Sequence, residues 1–300
     1  MMLISCQNLT KNFGDKKALN EVSFTLEAGT PIALVGPNGA GKTTLFSILC
    51  GYILPSKGKV NILGQQPGSR ELQGRVAALP QDALLDPNFS IITQLSFFAQ
   101  LQGMTAKAAK IETKRVLELV DMTEAANLKP ISLSHGMSKR VAIAQALIGQ
   151  PEVVLLDEPT AGLDPANAKK IREIVQNQSI NSTFIISSHN LDELEKLCDT
   201  VLYLESGQLQ QSVSMQSEQS TEYITLTLQQ ADFEQLQSTI GAIDSVINVK
   251  PISHDQLLIE HNKSLPYYIE RALLDLFEQN QWQYKSILKG RTLEDTLFSN

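Results

Sequence analysis

The sequence predicts a large α/β domain followed by a smaller α+β domain. Apolar segments typical of buried strands alternate with helical stretches over residues 1–210, which is the pattern of an α/β fold. A stretch rich in Gln and Ser then interrupts the pattern, and a shorter set of strands and helices follows it. We therefore expect a first domain at 1–210, a linker at 211–221 and an accessory domain at 222–300.

Three apolar segments are the strongest strand candidates of the first domain. They are Pro31–Val35, Val153–Leu156 and Thr183–Ser187, and residues 105–150 between them have apolar side chains at helical spacing. In open α/β sheets, ligands bind beyond the carboxyl ends of the strands. The residues that follow these three strands are therefore expected to share one site.

A glycine-rich loop joins the first of these strands to a helix predicted from Thr44 to Leu49. It fits the Gly-x-x-x-x-Gly-Lys-Thr pattern of a phosphate-binding loop. Its backbone N–H groups and the helix N-terminus favour phosphate oxygens, Lys42 reaches the β- and γ-phosphates, and Thr43 offers its hydroxyl to Mg²⁺. The expected nucleotide-binding residues here are Gly36, Pro37, Asn38, Gly39, Ala40, Gly41, Lys42, Thr43 and Thr44.

Two adjacent acids end the second strand. Asp157 is expected to hold Mg²⁺, and Glu158 to polarise the water that attacks the γ-phosphate. Such a pair alone also fits a solvated strand end. Together with the phosphate loop, the pair predicts hydrolysis of a nucleoside triphosphate.

Composition narrows the class of protein. The chain has 300 residues, 42% of them hydrophobic, a net charge of −7 and three widely spaced cysteines. This charge does not suggest a nucleic-acid-binding surface, and the cysteines fit reduced thiols in the cytosol. We also expect neither a secretory signal nor a membrane span, because the sequence shows no run of about eighteen apolar residues.

Six motifs follow one another in residues 1–210. They are the phosphate loop, Leu79-Pro80-Gln81, Leu133-Ser134-His135-Gly136-Met137, Leu155-Leu156-Asp157-Glu158-Pro159-Thr160, Ala161-Gly162-Leu163-Asp164 and His189. In this order they resemble the nucleotide-binding subunit of ATP-binding cassette (ABC) transporters, in which the second motif is the glutamine loop, the third the signature sequence, the fifth the D-loop and the last the switch histidine. The fold that this resemblance implies is a P-loop NTPase of the ABC ATPase type.

The resemblance implies roles for individual residues. Phe13 matches the aromatic residue that stacks on adenine, and Gln81 would reach Mg²⁺ or the attacking water. His189 would donate a hydrogen bond to the γ-phosphate and hold that water. Ser134 and Gly136 would contact the γ-phosphate of the opposite subunit. ATP and Mg²⁺ are the implied ligands, and two copies of the chain would enclose ATP between them.

The signature sequence departs from the family's Leu-Ser-Gly-Gly-Gln. His135 replaces the first glycine and Met137 replaces the glutamine, whereas Ser134 and Gly136 remain. Phosphate contact is expected to survive this change. The side chain at position 135 either crowds the interface, adds a titratable donor or points to solvent.

The resemblance also implies partners and location. ABC transporter ATPase subunits act on separately encoded transmembrane permease subunits, at the cytoplasmic face of the membrane. The segment Leu84–Gly103 follows Gln81 where the family docks its membrane partner, and its apolar residues are either docking or core residues. The tail at 290–298 resembles the ending of ATPase subunits of bacterial drug, antibiotic and polysaccharide exporters, which favours export.

Two other classes of function remain open. A soluble ABC ATPase that acts on the ribosome or on DNA-repair machinery usually has two cassettes or long coiled-coil insertions, and this chain has one phosphate loop and no heptads. A nucleotide-regulated interaction module with little turnover is opposed by Glu158 and His189. The altered signature sequence keeps that third class open.

The C-terminal region predicts a small ferredoxin-like unit. The pattern gives the order strand, helix, strand, strand, helix, strand. The predicted elements are Tyr223–Leu228, Phe233–Ile240, Ser245–Val249, Gln256–Glu260, Leu265–Gln279 and Trp282–Leu288.

Overall fold

The computed structural model describes residues 2–214, 221–230, 233–262 and 268–290. The chain divides into two compact units, Met1–Val213 and Ser214–Asn300. Each unit has its own cluster of buried apolar side chains. Within the described ranges, every helix is too short or too polar to cross a bilayer.

The first unit contains nine strands and six α-helices among its described residues. The strands are β1 (Met2–Phe13), β2 (Lys16–Glu27), β3 (Ile32–Val35), β4 (Lys57–Ile62), β5 (Val76–Leu79), β6 (Val153–Asp157), β7 (Thr183–Ser187), β8 (Thr200–Glu205) and β9 (Gln208–Ser214). The helices are α1 (Lys42–Leu49), α2 (Ile91–Leu101), α3 (Ala106–Leu119), α4 (His135–Ala146), α5 (Pro165–Gln178) and α6 (Leu191–Glu195).

A six-stranded sheet organises this unit. Its spatial order is β5-β6-β7-β3-β8-β9, and β5, β6, β7, β3 and β8 are parallel. Every residue of β3, β6 and β7 is buried, as expected for parallel strands covered on both faces. The three strands that the sequence predicts are therefore adjacent, and their carboxyl ends lie at one edge.

An antiparallel sheet of β2, β1 and β4 lies beside the same core. Side chains of both sheets and of α1 contribute to one buried cluster. Representative members are Ile4 of β1, Leu19 of β2, Val60 of β4, Leu34 of β3, Leu155 of β6 and Leu45 of α1. This packing fixes α1 and the loop before it against the strands of the six-stranded sheet.

The second unit has strands β10 (Thr221–Gln230), β11 (Val246–Ser253), β12 (Gln256–Asn262) and β13 (Gln283–Lys289) and helices α7 (Phe233–Gly241) and α8 (Tyr268–Gln279). Its strand order is β11-β12-β10-β13, with all pairs antiparallel. The order of elements along the chain is that of a ferredoxin-like unit. Alternate β10 residues, Ile224, Leu226 and Leu228, are buried in its core.

The prediction of a linker at 211–221 is wrong at both ends. Residues 211–214 belong to β9, and Thr221 begins β10. Ser206 and Gly207 form the turn between β8 and β9 with φ of 49° and 77°, which suits a tight hairpin turn. The Gln- and Ser-rich composition resembles a linker because β9 is an edge strand of the sheet, where polar residues are tolerated. The rest of the predicted linker lies outside the described residues.

Candidate active site

The glycine-rich loop begins directly after β3 and ends where α1 begins. Gly36, Gly39 and Gly41 have φ of 154°, 81° and 107°, which L side chains rarely adopt. A Cβ at position 36 would lie 2.0 Å from the Leu204 carbonyl oxygen, and one at position 41 would lie 2.6 Å from that of Ala18. The loop therefore requires glycine at both positions, because backbone atoms occupy the space of a side chain.

Lys42 is enclosed by the loop that it terminates. Only 8% of its surface is exposed, and its Nζ donates to the carbonyl oxygens of Gly36 at 2.6 Å and Pro37 at 3.2 Å. An enclosed cation at a helix N-terminus is a strong site for phosphate. The loop thus concentrates positive potential on its concave side.

Thr43 and Asp157 meet although 114 residues separate them in sequence. The Thr43 hydroxyl donates to Asp157 Oδ2 at 3.3 Å, and the buried Ser187 hydroxyl donates to Asp157 Oδ1. Hydroxyl and carboxylate oxygens are the hard ligands that Mg²⁺ prefers, together with water and substrate phosphates. The pair therefore fits a magnesium ion that shares its coordination with a nucleotide.

Glu158 is fixed in both its backbone and its side chain. Its φ is 48°, an unusual left-handed value for a non-glycine residue, and its N–H donates to the Ser187 hydroxyl at 3.0 Å. The carboxylate lies 2.8 Å from His189 Nδ1, with only 10% of the Glu158 side chain exposed. Strained residues held by their neighbours cluster at active sites, because the surrounding contacts offset the strain. The structure therefore brings together the predicted base and the predicted switch histidine.

Gln81 lies at the same edge of the sheet as these acids. Leu79 of β5 pairs with Leu156 of β6, so Gln81 and Glu158 each lie two residues beyond that pair. A cleft of about 290 Å³ opens over the glycine-rich loop. It is lined by Phe13, Lys16, Ala18, Asn38, Gly39, Ala40, Gly41, Lys42, Thr43, Thr44, Gln81, Asp157 and Glu158.

Phe13 lies at the rim of this cleft. Its side chain is 51% exposed, and the Lys11 ammonium lies 5.0 Å from the ring centroid. An exposed aromatic face beside a phosphate-binding loop suits stacking of a nucleobase. A phenylalanine on a strand is more often a buried core residue, but Phe13 is not buried.

The signature sequence and the D-loop lie elsewhere in the first unit. Ser134 is exposed and is the N-cap of α4, where its hydroxyl accepts from the Met137 N–H at 3.3 Å. Asp164 caps α5 and accepts from the N–H groups of Ala166 and Asn167, both at 3.0 Å. The Asn167 backbone and side-chain hydrogen bonds lower the pKa of Asp164. Neither residue lines the cleft.

Gly136 and His135 connect these two motifs within one chain. A Cβ at position 136 would lie 2.5 Å from the Asn167 side chain, so α4 packs tightly against the start of α5. His135 is exposed, and its Nε2 lies 3.4 Å from the Ala161 carbonyl oxygen of the D-loop. The unusual histidine therefore lies against the D-loop of its own chain.

Three contributors to the site are absent from the sequence-based prediction. Ser187 orients both acids, while Lys16 and Ala18 line the cleft. Lys16 pairs with Phe13 across the hairpin of β1 and β2, a contact that the local sequence pattern does not reveal. The sequence does contain one indication of a role for Ser187, because it is a polar residue at the end of a strand that is predicted to share a site with the strand of the two acids.

A phosphate-binding loop on a parallel sheet, with Asp, Glu and His at the neighbouring strand ends, defines a P-loop protein built to bind and hydrolyse ATP. The family model described as ABC transporter matches residues 19–161. A Nod factor export ATP-binding protein I from Burkholderia lata is 39% identical over 207 residues, which cover 68% of this chain and 68% of that protein. The chain belongs to the ABC transporter family of ATP-binding proteins and is an ATPase of that family.

Other similar proteins agree with this assignment. The linearmycin resistance ATP-binding protein LnrL of Bacillus subtilis is 33% identical over 210 residues, covering 69% of this chain and 68% of that protein. The structure of cbiO1 from Clostridium perfringens, part of an ABC transporter complex, covers 71% of this chain and 88% of its own, with 28% identity and a TM-score of 0.63. A dimeric ATP-binding cassette in a post-hydrolysis state with ADP and Pi shares the fold, with 23% identity, a TM-score of 0.65 and coverage of 72% of this chain and 100% of that chain.

Proposed function

We propose that this chain is the subunit of an exporter that hydrolyses Mg·ATP and drives separately encoded membrane subunits. The observation that carries the catalytic part is the pairing of Glu158 with His189 beside Asp157 and Thr43. The relatives' names, which refer to Nod factor export and to linearmycin resistance, support the transport part.

In this proposal, each residue of the cleft has a separate task. Lys42 and the loop N–H groups bind the β- and γ-phosphates, and Phe13 stacks on adenine. Glu158 accepts a proton from the attacking water, while Gln81 and His189 hold that water and the γ-phosphate. Thr43, Asp157 and Gln81 would hold Mg²⁺, which supplies charge neutralisation for the phosphates when bound.

The position of the signature sequence supports action between two copies of the chain. Ser134 is exposed at the N-terminus of α4 and does not line its own cleft. A helix N-terminus with a serine hydroxyl is suited to bind phosphate. We propose that Ser134, Gly136 and the D-loop residue Asp164 contribute to the ATP site of a second nucleotide-binding subunit.

Exposed apolar residues support a membrane partner. In the segment after Gln81, Ile91 and Leu95 are buried core residues, whereas Leu84, Phe89 and Phe97 are 93%, 53% and 56% exposed. Several exposed apolar side chains within one short segment indicate a protein contact. We propose that these three residues dock the transmembrane permease subunits, which places the chain at the cytoplasmic face of the membrane. The predicted exporter-like tail beyond Gly290 lies outside the described residues.

Co-expression tests the transport part of the proposal. The chain is produced together with a multi-span membrane protein encoded beside it, and detergent extracts are purified through a tag on the membrane protein. The chain is expected to co-purify and to hydrolyse ATP, and Leu84→Ser with Phe97→Ser is expected to reduce co-purification. Co-purification with a ribosome, or none with the membrane protein, would contradict the proposal. Ile180→Ser, at a residue 87% exposed elsewhere in the unit, is the matched control.

A further inference from the structure

Lys139 of α4 forms a contact with the glutamine loop that no sequence motif predicts. Its Nζ donates to the Gln81 carbonyl oxygen at 2.9 Å, across 58 residues of sequence. The next residue, Arg140, is buried and donates to the carbonyl oxygens of Val120 and Asp121 at 3.1 and 3.0 Å. Two adjacent cationic side chains of α4 thus donate hydrogen bonds to backbone carbonyls of two different segments, the glutamine loop and residues 120–121.

The geometry of the glutamine loop explains why this carbonyl is available. The Ala83 N–H donates to the Pro80 carbonyl oxygen at 3.2 Å, which forms a tight turn with Gln81 at its second position. The Gln81 carbonyl is not part of that turn bond and accepts from Lys139 instead. Gln81 is one of the residues that line the cleft, together with Asp157 and Glu158. A shift of the Gln81 backbone would therefore move its carboxamide relative to both acids.

The electrostatic surroundings of Lys139 connect it to the same acids. Partial desolvation lowers the pKa of Lys139, and the carboxylates of Asp82, Asp157 and Glu158 act in the opposite direction. The ammonium therefore lies within the electrostatic field of the catalytic carboxylates. A cation at this place stabilises the loop more than a neutral donor would, because charge-assisted hydrogen bonds are stronger.

We propose that Lys139 is a positioning residue for ATP hydrolysis, which ties the helix of the signature sequence to the glutamine loop and aims Gln81 at the reacting water. The proposal rests on the catalytic roles proposed above for Gln81 and Glu158. The helix α4 then contributes to two sites. Its N-terminus contributes to the ATP site of the opposite subunit, and Lys139 in its second turn positions the glutamine loop of its own chain.

Removal of the ammonium tests this role. Lys139→Met preserves the length and apolar stem of the side chain but cannot donate a hydrogen bond. Because misplacement of a reacting group by about 1 Å costs up to about 10²-fold in rate, a loosened loop is expected to lower kcat about tenfold. KM and the affinity for ATP are expected to stay unchanged, because Lys139 is not among the residues that line the cleft. Lys139→Arg, which retains a cationic donor, restores most of the rate.

The measurement is steady-state hydrolysis of Mg·ATP by the full chain, with nucleotide affinity measured by titration. Lys114→Met is the matched control, since Lys114 is an exposed helical lysine that pairs with Glu118 of its own helix at 3.9 Å. It is expected to retain wild-type kcat. A kcat for Lys139→Met within twofold of the control, or a parallel loss of ATP affinity, would overturn the positioning role.

A double-variant cycle with Gln81→Ala separates this proposal from the one on which it rests. If Lys139 acts through Gln81, adding Lys139→Met to Gln81→Ala causes little further loss of kcat. Fully additive losses would overturn the proposal that Lys139 acts through Gln81. Wild-type kcat in Gln81→Ala alone would instead contradict the catalytic role of Gln81 itself.

Discussion

Residues at the carboxyl ends of β3 and β6 line one cleft, and His189 after β7 contacts one of them, whereas the residues that begin α4 and α5 lie outside it. In the first group, side chains bind one another: Thr43 contacts Asp157, and Glu158 contacts His189. In the second group, the Ser134 hydroxyl caps α4, the helix that follows it. A single chain thus assembles the part of the site to which we assign hydrolysis. The other part presents a helix N-terminus outward, where a second copy can use it.

Glu158→Gln is expected to have the largest effect on the first group. The amide keeps the shape of the carboxylate but cannot act as a base, so hydrolysis falls by about 10²–10⁴-fold while ATP remains bound. ATP turnover and nucleotide titration measure the two quantities separately. Glu173→Gln, on the exposed face of α5, is the control. Unchanged turnover in Glu158→Gln would remove Glu158 from the role of base.

Lys42→Ala is expected to weaken the binding of ATP, and not only to slow its hydrolysis. It removes an enclosed cation from the phosphate loop, so ATP affinity falls by about 10- to 10²-fold while the fold is retained. Titration with nucleotide and circular dichroism are the measurements, with Lys169→Ala of α5 as a control. Near-native affinity would show that the loop does not bind phosphate through Lys42.

Ser134→Asp separates the role of Ser134 as a helix cap from its proposed role in phosphate binding. Aspartate is as good an N-cap as serine, so thermal stability is expected to stay unchanged. A carboxylate facing the γ-phosphate of another subunit is repelled, and ATPase activity should fall by at least about tenfold. Ser134→Thr, which keeps a neutral hydroxyl, is the control. Wild-type activity in Ser134→Asp would restrict Ser134 to the role of a helix cap.

Substitution of Asp164 is expected to have the smallest effect, a pH-dependent change in the stability of the fold. Hydrogen bonds from Asn167 lower the pKa of Asp164 below its ordinary value of 3.8. Its ionised form therefore stabilises the fold above that value, and this stability is lost as the pH falls through the pKa of the folded state. Asp164→Ser keeps a neutral cap. Urea unfolding from pH 5 to pH 2 should show a smaller loss for Asp164→Ser than for wild type, and parallel curves would contradict the argument.

Local sequence patterns predict the first group well. The phosphate loop and the Asp157-Glu158 pair are continuous in sequence, so their spacing alone predicts both the strand–loop–helix geometry and the chemistry. The strand at Thr183–Ser187 has the predicted bounds, because its apolar centre, Phe184–Ile186, lies between polar residues and has few alternatives. The order of the C-terminal elements follows equally from alternation and helical spacing.

Contacts between distant segments are not visible in the sequence. Ser187 orients Asp157 from 30 residues away, and Lys139 reaches Gln81 across 58. Both depend on strand order and helix packing, which no local pattern specifies. The same limit explains the linker error, because β9 is recognisable as a strand only through its pairing with β8 at the sheet edge.

We propose that the cleft of one copy is completed by the signature sequence of another. Mixing two inactive variants tests it most directly. Glu158→Gln lacks the base but keeps its signature sequence, and Ser134→Asp has the reverse defect. A mixed dimer contains one site with an intact cleft and an intact signature sequence. We expect the mixture to hydrolyse ATP faster than the sum of the two variants measured alone, and a rate equal to that sum would contradict a site shared between two copies.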